Sequence, residues 1–250
     1  MLKVEKLLKY YRKTLAVDEI SFTVNDGEIV GLVGPNGAGK TTILRCIIGI
    51  VQMTDGRVEV DGLDLATNEE AVKKLLAFVP EVPTPYEMLT VYEHLRFIAM
   101  AYQTMSDFDK RADELLRRFD LDDKRSDFVL SLSKGMKQKL AIACAFVHDA
   151  RVILLDEPLI GIDPKGVREL KNMILDVKDR KGSVLISTHM LDTAEHLCDR
   201  IIIIQKGKIT AEGTIDELHQ RAQMGRNASL EDVFLTLVEE NETIETTTLS

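Results

Sequence analysis

Residues 34–41 read Gly-Pro-Asn-Gly-Ala-Gly-Lys-Thr and fit the pattern G-x-x-x-x-G-K-[ST]. The glycines of such a loop let the backbone turn tightly, so that several N–H groups point inward at one anion. Lys40 can then reach the β- and γ-phosphates of a nucleotide, and the Thr41 hydroxyl can ligate Mg²⁺. A chance match in a chain of 250 residues has a probability on the order of 1 in 100. The motif therefore predicts a nucleoside triphosphate site.

The flanking sequence has the order that this motif requires. Residues 28–33 are typical of a short buried strand that leads into the loop, and residues 42–48 of a helix that leads out. A helix N-terminus beside such a loop favours phosphate binding, because its N–H groups and its dipole both face the anion. We therefore expect strand, loop and helix to form one phosphate-binding unit.

The composition is that of a soluble globular protein, with 45% hydrophobic and 29% charged residues. The length suffices for one large domain or two small ones. The formal net charge of −9 argues against a general nucleic-acid binder, since such proteins usually carry a basic excess. Cys46, Cys144 and Cys198 lie far apart without metal-ligand or redox spacing, so we expect reduced core residues of a cytosolic protein.

No targeting or membrane-spanning segment is visible in the sequence. The N-terminal residues 1–6 are charged, and no apolar run approaches the ~20 residues that a spanning helix needs. If the protein acts at a membrane, we expect another chain to supply the membrane-spanning part.

Hydrophobic patterning predicts an α/β fold with a helical insertion. Residues 15–24 are typical of a strand, and the strict alternation at 56–62 is typical of an antiparallel one. Residues 91–148 follow a helical period instead. Two short apolar strands at 152–155 and 184–187, separated by a helix, indicate a parallel sheet. The prediction is a mainly parallel sheet, an antiparallel β subdomain and an inserted helical lobe.

Two other segments have a distinctive composition. Residues 80–90 contain three prolines and are expected to form a loop. Ser229 opens a short amphipathic helix with a sequence similar to a capping box, and the polar residues 242–250 are expected to fray.

Two carboxylates end the strand at 152–155. Ligands in open α/β sheets bind beyond the carboxyl ends of the strands, which favours Asp156 as a Mg²⁺ ligand through water. Glu157 is suited to polarise an attacking water. The alternative is a pair of acids that begins a solvated loop.

His189 follows the strand at 184–187 in the same position, at the carboxyl end of a strand. This position favours a γ-phosphate contact over the surface role that a lone histidine more often has.

The segment Leu-Ser-Lys-Gly-Met-Lys-Gln at residues 132–138 precedes an amphipathic helix. Ser133 is suited to cap that helix, and a helix N-terminus also attracts anions, so Ser133 and Gly135 could contact phosphate. The helical insert should hold this segment away from the phosphate loop of its own chain. A second copy of the protein would resolve that conflict.

Five segments occur in order along the chain: GPNGAGKTT, LSKGMKQ, ILLDEP, GIDP and STH. Together they resemble the ATP-binding cassette of ABC transporters. Residues 211–214 and 229–234 are similar to the stand-alone ATPase subunits of ABC-2-type exporters for drugs, antibiotics or ions. The resemblance implies a P-loop NTPase core at residues 1–220 with its helical lobe at about 85–150. A C-terminal helix and polar tail would follow at 221–250.

The resemblance also implies which residues hold ATP and Mg²⁺. Thr41 and Asp156 would hold the cation, while Glu157 and His189 would act in hydrolysis. The phosphate-binding residues would be Gly34, Asn36, Gly37, Gly39, Lys40, Thr41 and Thr42.

In the family, two cassettes pack head-to-tail and enclose two ATP molecules. Ser133 and Gly135 would cap the γ-phosphate held by the other copy, and Asp163 would lie in the loop that connects the two sites. Tyr11 would stack on adenine, although it or the adjacent Tyr10 could instead have a core or surface role.

Two segments depart from the usual sequence of the family. The signature is usually LSGGQ, whereas Lys134 and Met136 stand here in place of Gly and Gln, and Lys134 could add positive charge. Glu81 takes the place of a Gln that usually contacts the cofactor. An ionised carboxylate only accepts hydrogen bonds, whereas an amide also donates them, so a plain loop acid is the alternative. The proline-rich loop after Glu81 would lie at the groove where a membrane subunit docks.

The resemblance implies an ATPase subunit that powers a membrane exporter through ATP-driven dimerisation. Its partners would be an integral membrane permease and a second cassette subunit, with no nucleic acid. The chain would be held peripherally at the cytoplasmic face of the membrane. The alternative is a soluble, non-transport cassette protein that acts on nucleic acid or ribosomes. A P-loop kinase or switch GTPase would have no role for the LSKGMKQ and STH segments.

Overall fold

A computed structural model of the chain describes residues 1–225 and 228–248, with side chains described as far as Glu239. The strands are β1 Leu2–Tyr11, β2 Thr14–Val24, β3 Ile29–Val33, β4 Asp55–Val60, β5 Leu63–Asp64, β6 Leu76–Val79, β7 Val152–Asp156, β8 Ser183–Thr188, β9 Arg200–Gln205 and β10 Lys208–Gly213. The helices are α1 Lys40–Ile47, α2 Glu69–Leu75, α3 Val91–Ala101, α4 Phe108–Arg118, α5 Lys134–Val147, α6 Pro164–Asp179, α7 Leu191–Leu197, α8 Ile215–Arg221 and α9 Leu230–Thr248.

The larger sheet has the strand order β10-β9-β3-β8-β7-β6. The strands from β9 to β6 are parallel, and only β10 among these six runs antiparallel to its neighbour. Every residue of β3, β7 and β8 is buried, as expected for parallel strands covered on both faces. Val33 pairs with Thr188, and Asp156 pairs with Ser187, so these three strands end level with one another. The predicted parallel sheet is confirmed.

The smaller sheet is antiparallel, with the order β2-β1-β4-β5. Val4 at its centre pairs with Phe22 on one side and with Val58 on the other, and all three are buried. Val58 and Val60 face the core while Glu59 between them is partly exposed, which is the alternation that the sequence shows. This sheet is the predicted antiparallel β subdomain.

The helical insertion consists of α3, α4 and α5. Thr90 begins α3 with a capping box, in which its side chain accepts from the Glu93 N–H and the Glu93 carboxylate accepts from the Thr90 N–H. Leu95, Leu116 and Leu140 come from the three helices and are fully buried against one another. The apolar core of the lobe is therefore continuous with that of the parallel sheet.

Strand β6 is a finding that the sequence analysis did not predict. Helix α2 ends at Leu75 and β6 begins at Leu76, with no glycine, proline or turn residue between them. The helical and strand patterns therefore run together in the sequence. Because β6 lies beside β7, it brings the segment that follows it to the same edge of the sheet.

The C-terminal helix packs on the main domain. Leu230, Val233 and Leu237 of α9 are buried beside Ile203 and Leu218. The predicted capping at its start is confirmed, because the Ser229 hydroxyl hydrogen-bonds with the Asp232 carboxylate and accepts from the Asp232 N–H.

Helix α9 continues to Thr248, the last described residue, so the polar stretch from residue 242 is helical as far as the structure describes it. No glycine or proline follows Leu230 in the sequence, so no strong helix-breaking residue ends the helix earlier. Leu249 and Ser250 lie outside the described residues.

Candidate nucleotide site

The site lies at the carboxyl ends of the three adjacent strands β3, β8 and β7. The glycine-rich loop follows β3, His189 follows β8, Asp156 ends β7 and Glu157 comes directly after it. Because parallel strands end at the same edge, side chains from three distant parts of the sequence meet there.

The glycine-rich loop needs glycine at positions 34 and 39 for different reasons. A β-carbon on Gly34 would lie 2.2 Å from the Ile204 carbonyl oxygen, so the loop can leave β3 against β9 only without a side chain. Gly39 has φ +110°, a conformation that other residues rarely adopt, and it immediately precedes α1. The loop therefore presents the N-terminus of α1 to the cavity, which favours an anion.

Lys40 is the buried cation of this loop, with 6% of its surface exposed. Its ammonium donates to the Gly34 carbonyl oxygen at 2.7 Å and to the Pro35 carbonyl oxygen at 3.2 Å. It also lies 3.8 Å from Glu157 Oε1. Burial lowers the pKa of Lys40, and the nearby carboxylates of Glu157, Asp156 and Glu81 act in the opposite direction. The lysine is thus held in the loop by groups that a phosphate can replace.

The two carboxylates at the end of β7 have separate partners. Asp156 is 1% exposed and accepts a hydrogen bond from the Ser187 hydroxyl. Glu157 Oε2 accepts from the Thr188 hydroxyl at 3.2 Å, and Glu157 Oε1 lies 2.9 Å from His189 Nδ1. These three contacts therefore join the end of β7 and the residue after it to the end of β8 and the residue after that.

Glu157 also has an unusual backbone conformation. Its φ of +47° is in the left-handed region, which is costly for a residue other than glycine. Its N–H nevertheless continues the strand pairing by donating to the Ser187 carbonyl oxygen at 3.0 Å. The surrounding pairing holds this conformation, and strain of this kind is concentrated at functional sites.

A cavity of about 610 Å³ contains most of the predicted site residues. This volume is within the range of about 300–1,000 Å³ that is usual for small-molecule sites. The cavity is lined by Thr14, Leu15, Ala16, Asn36, Gly37, Ala38, Gly39, Lys40, Thr41, Thr42, Glu81, Glu157, Ile160, His189 and Lys206.

Ser187 and Lys206 were missed by the sequence analysis. Ser187 belongs to the STH segment, but nothing in that segment predicts its hydrogen bond with Asp156 of the neighbouring strand. Lys206 lies in the turn between β9 and β10, where the Gly207 N–H donates to the Ala38 carbonyl oxygen at 2.9 Å. That contact joins parts of the chain far apart in sequence, so only the fold reveals it.

Tyr11 and Ser133 lie apart from the residues that line this cavity. Tyr11 is 44% exposed near the end of β1, and the Lys9 ammonium lies 4.9 Å from its ring centroid. Ser133 is the N-cap of α5, and its hydroxyl accepts from the Met136 N–H at 3.3 Å. The predicted cap is therefore confirmed, and Ser133 does not line the Lys40 cavity of its own chain.

The start of α5 is attached to the segment that follows Glu157. A β-carbon on Gly135 would lie 2.5 Å from the Gly161 carbonyl oxygen, so the two backbones are in close contact. Lys139 Nζ lies 2.6 Å from Asp163 Oδ1, and this hydrogen bond lowers the pKa of Asp163. We call residues 158–163 the connecting segment. It joins the sheet edge that carries Glu157 to the start of α5, where the LSKGMKQ segment lies.

None of the three cysteines lines this cavity. Cys46, Cys144 and Cys198 are free, and burial raises the pKa of each thiol, to about 11 for Cys46 and about 12 for Cys198. The prediction of reduced core residues is consistent with these environments.

Comparison with known proteins gives the family. Residues 17–160 match the family described as "ABC transporter". The chain is 38% identical to the ABC-type transporter ATP-binding protein EcsA of Bacillus subtilis, over 96% of this chain and 98% of that protein. It is 34% identical to the lipopolysaccharide export system ATP-binding protein LptB of Haemophilus influenzae, over 90% of this chain and 95% of that protein.

A solved structure described as the ATP-binding subunit of an ABC transporter has the same fold. The two superpose with a TM-score of 0.91 at 37% identity, covering 95% of this chain and 99% of the other. These relatives do not favour the non-transport alternative. With its phosphate loop, its paired carboxylates and its histidine at one sheet edge, the chain belongs to the ATP-binding, ATP-hydrolysing subunits of ABC transporters.

Proposed function

We propose that the chain hydrolyses Mg²⁺-bound ATP in the Lys40 cavity and thereby drives export through a membrane permease. The observation that carries this proposal is the meeting of Lys40, Glu157 and His189 at one edge of the sheet. These three groups supply a phosphate ligand, a base and a partner for that base, which together suit hydrolysis of the β,γ-phosphoanhydride bond of ATP.

The triphosphate would occupy the glycine-rich loop. Its oxygens would accept from the loop N–H groups at the start of α1 and from Lys40, which would turn away from the Gly34 and Pro35 carbonyl oxygens. The residues assigned to this contact are Gly34, Asn36, Gly37, Gly39, Lys40, Thr41 and Thr42.

The residues at the end of the loop and of β7 fit a magnesium ion. Thr41 lines the cavity, and Asp156 is a buried carboxylate oriented by Ser187; hydroxyl and carboxylate oxygens are the ligands that Mg²⁺ prefers. Among the described residues, no group of three or more His, Cys, Asp or Glu side chains could hold a metal alone. Phosphate oxygens would therefore have to complete the shell, and the bound ion would neutralise charge on them.

Glu157 would act as the general base. It would accept a proton from the water that attacks the γ-phosphorus, while the bond from that phosphorus to the β-phosphate oxygen breaks. His189, 2.9 Å from Glu157 Oε1, would orient the carboxylate and contact the γ-phosphate. Both side chains line the cavity, which supports these roles.

A second copy of a cassette would complete the site. Ser133 and Gly135 lie away from the cavity of their own chain, at the exposed N-terminus of α5. In a head-to-tail dimer this end would cap the γ-phosphate held by the other copy, with Asp163 between the two sites. Tyr11, exposed near the end of β1, would stack on the adenine ring.

The permease and the export direction are further parts of the proposal. No helix in the described part of the chain has the length and apolar character to cross a bilayer, so translocation would require a partner. Val82, Tyr86 and Met88 of the proline-rich loop expose 63%, 59% and 78% of their surfaces, which supports this loop as the docking surface. The chain would then lie at the cytoplasmic face of the membrane. The similarity to LptB, an export-system protein, supports export.

The proposal is tested by purifying the tagged chain from a detergent extract of its own cells. We expect an integral membrane protein to co-purify and the complex to hydrolyse ATP in the presence of Mg²⁺. Lys40→Ala should retain the membrane partner but lose ATP hydrolysis and transport. Recovery of RNA or ribosomes without a membrane protein would instead favour the non-transport alternative, and a fully coupled Lys40→Ala complex would exclude the assigned site.

A further inference from the structure

Glu81 adds a third carboxylate to the nucleotide cavity. It follows β6 by two residues, and β6 pairs with β7 so that Val79 lies opposite Leu155. Glu81 therefore lies at the same sheet edge as Asp156 and Glu157, and it lines the cavity with Thr41 and Glu157.

Several carboxylates lie near the cation of a cavity that would receive a polyanion. The negative charges of Glu157, Asp156 and Glu81 all act on the Lys40 ammonium. Lys206 is the other lysine among the described residues that line the cavity. A nucleotide without a cation therefore brings its phosphates towards three carboxylates, and Glu81 lacks the buried hydrogen bonds that occupy Asp156 and Glu157.

A divalent cation bound to the nucleotide turns the repulsion between Glu81 and the phosphates into an attraction between Glu81 and the cation. Magnesium in nucleotide sites is commonly held by one or two carboxylates together with phosphate oxygens. An amide at this position would neither repel the phosphates nor attract the cation to the same degree, because it carries no net charge. The carboxylate therefore distinguishes two forms of the same nucleotide.

We propose that Glu81 makes nucleotide binding by this chain conditional on a bound divalent cation. Its carboxylate repels cation-free nucleotide and attracts the cation of the loaded form. This inference rests on the proposed function, because it places Glu81 in the ATP site of that proposal. The measurable quantity is the cation dependence of binding, which we define as Kd without cation divided by Kd with Mg²⁺.

The size of the effect follows from one charge close to the phosphates and the cation. A unit charge near a protein surface changes an interaction by roughly tenfold in Kd once solvent screening is included. Glu81→Gln should therefore bind cation-free nucleotide roughly tenfold more tightly. It should bind the Mg²⁺ form equally well or more weakly, so the cation dependence falls by roughly tenfold or more.

The experiment measures binding of β,γ-imido-ATP by calorimetry, in excess EDTA and in excess Mg²⁺, with the full-length chain. Glu81→Asp keeps the charge and should retain weak binding in EDTA. Glu70→Gln is the control for net charge, because Glu70 is exposed on α2, pairs with Lys74 and does not line the cavity. It should behave as the wild type. A Mn²⁺ titration followed by electron paramagnetic resonance, with the nucleotide saturating, should show weaker ion binding in Glu81→Gln.

Three results overturn the inference, and two of them leave the proposed function intact. If the wild type binds both forms and Glu81→Gln leaves the cation dependence unchanged, Glu81 does not discriminate between them, although the chain still binds nucleotide. If Glu81→Asp binds in EDTA as tightly as Glu81→Gln, charge is not the cause. A wild-type chain that binds neither form would overturn the proposed function together with this inference.

Discussion

Lys40 and Glu157 hold opposite charges 3.8 Å apart at the floor of the cavity, and both side chains are almost completely buried. Removing either charge therefore leaves the other without its counterpart, although each has further hydrogen-bond partners. An amide in place of Glu157 keeps the shape but only one acceptor oxygen, and it is a much weaker base.

We expect Glu157→Gln to bind ATP as well as the wild type and to lose turnover by about 10²-fold or more, because proton transfer to a positioned base is worth that much. The bound, uncleaved ATP should hold the two copies together. Hydrolysis assays and size-exclusion chromatography with ATP would measure both effects. Glu114→Gln, on the exposed face of α4 beside Arg118, is the matched control and should hydrolyse ATP normally.

Normal turnover in Glu157→Gln would remove Glu157 as the catalytic base.

For single residues, the sequence identifies those whose role is encoded by their immediate neighbours, such as Lys40 in its loop and Glu157 after an apolar strand. It does not identify Ser187 or Lys206, because their contacts depend on which strands and turns lie side by side.

Ser133 illustrates how one side chain of a helix end can serve both stability and function. Within its own chain it caps α5, and in the proposed dimer it also contacts phosphate on the other copy. Thr214 caps α8 in the same way, with a capping box, but has no place in the proposed site. Comparing variants of Ser133 and Thr214 therefore separates helix capping from phosphate binding.

We expect Ser133→Ala and Thr214→Ala each to lower the free energy of unfolding by about 1 kcal/mol, since each removes an N-cap. Chemical denaturation would measure this. Only Ser133→Ala should also slow ATP hydrolysis, by about tenfold or more, because it removes a phosphate ligand. Equal hydrolysis rates in the two variants would restrict Ser133 to its capping role.

At the level of elements, sequence periodicity predicted the helical lobe and the strands around the site. The hydrophobic periodicity is clear in α5 of the lobe. Its apolar residues repeat on one face of the helix and are buried, namely Leu140, Ala143, Cys144 and Val147. Strand β6 was missed because α2 leads into it without a break. The position of Glu81 beside the phosphate loop depends on β6, so it could not be derived from periodicity alone.

For the whole molecule, α9 extends the apolar core beyond the nucleotide-binding part of the chain. Leu230 is fully buried, whereas Leu235 on the same helix is 50% exposed. We expect Leu230→Ala to lower the free energy of unfolding by about 2–5 kcal/mol, because it leaves a cavity between α9 and the sheet. Leu235→Ala should change it by less than about 0.5 kcal/mol.

Thermal or chemical denaturation of the two leucine variants would decide whether α9 is part of the folding unit. Equal stabilities would mean that α9 adds nothing to the core. The sequence predicted a helix at this position but not its packing partners, because an amphipathic pattern shows that a face is buried and not what covers it.

The connecting segment has a consequence for cooperativity. Residues 158–163 follow Glu157 directly, and through Gly161 and Asp163 they are attached to the end of α5 that would cover the ATP of the other copy. In the proposed dimer, each chain would therefore carry the base of one site and the cap of the other on one connected stretch of chain. Binding or release of ATP at one site would then be coupled to the other site through these contacts.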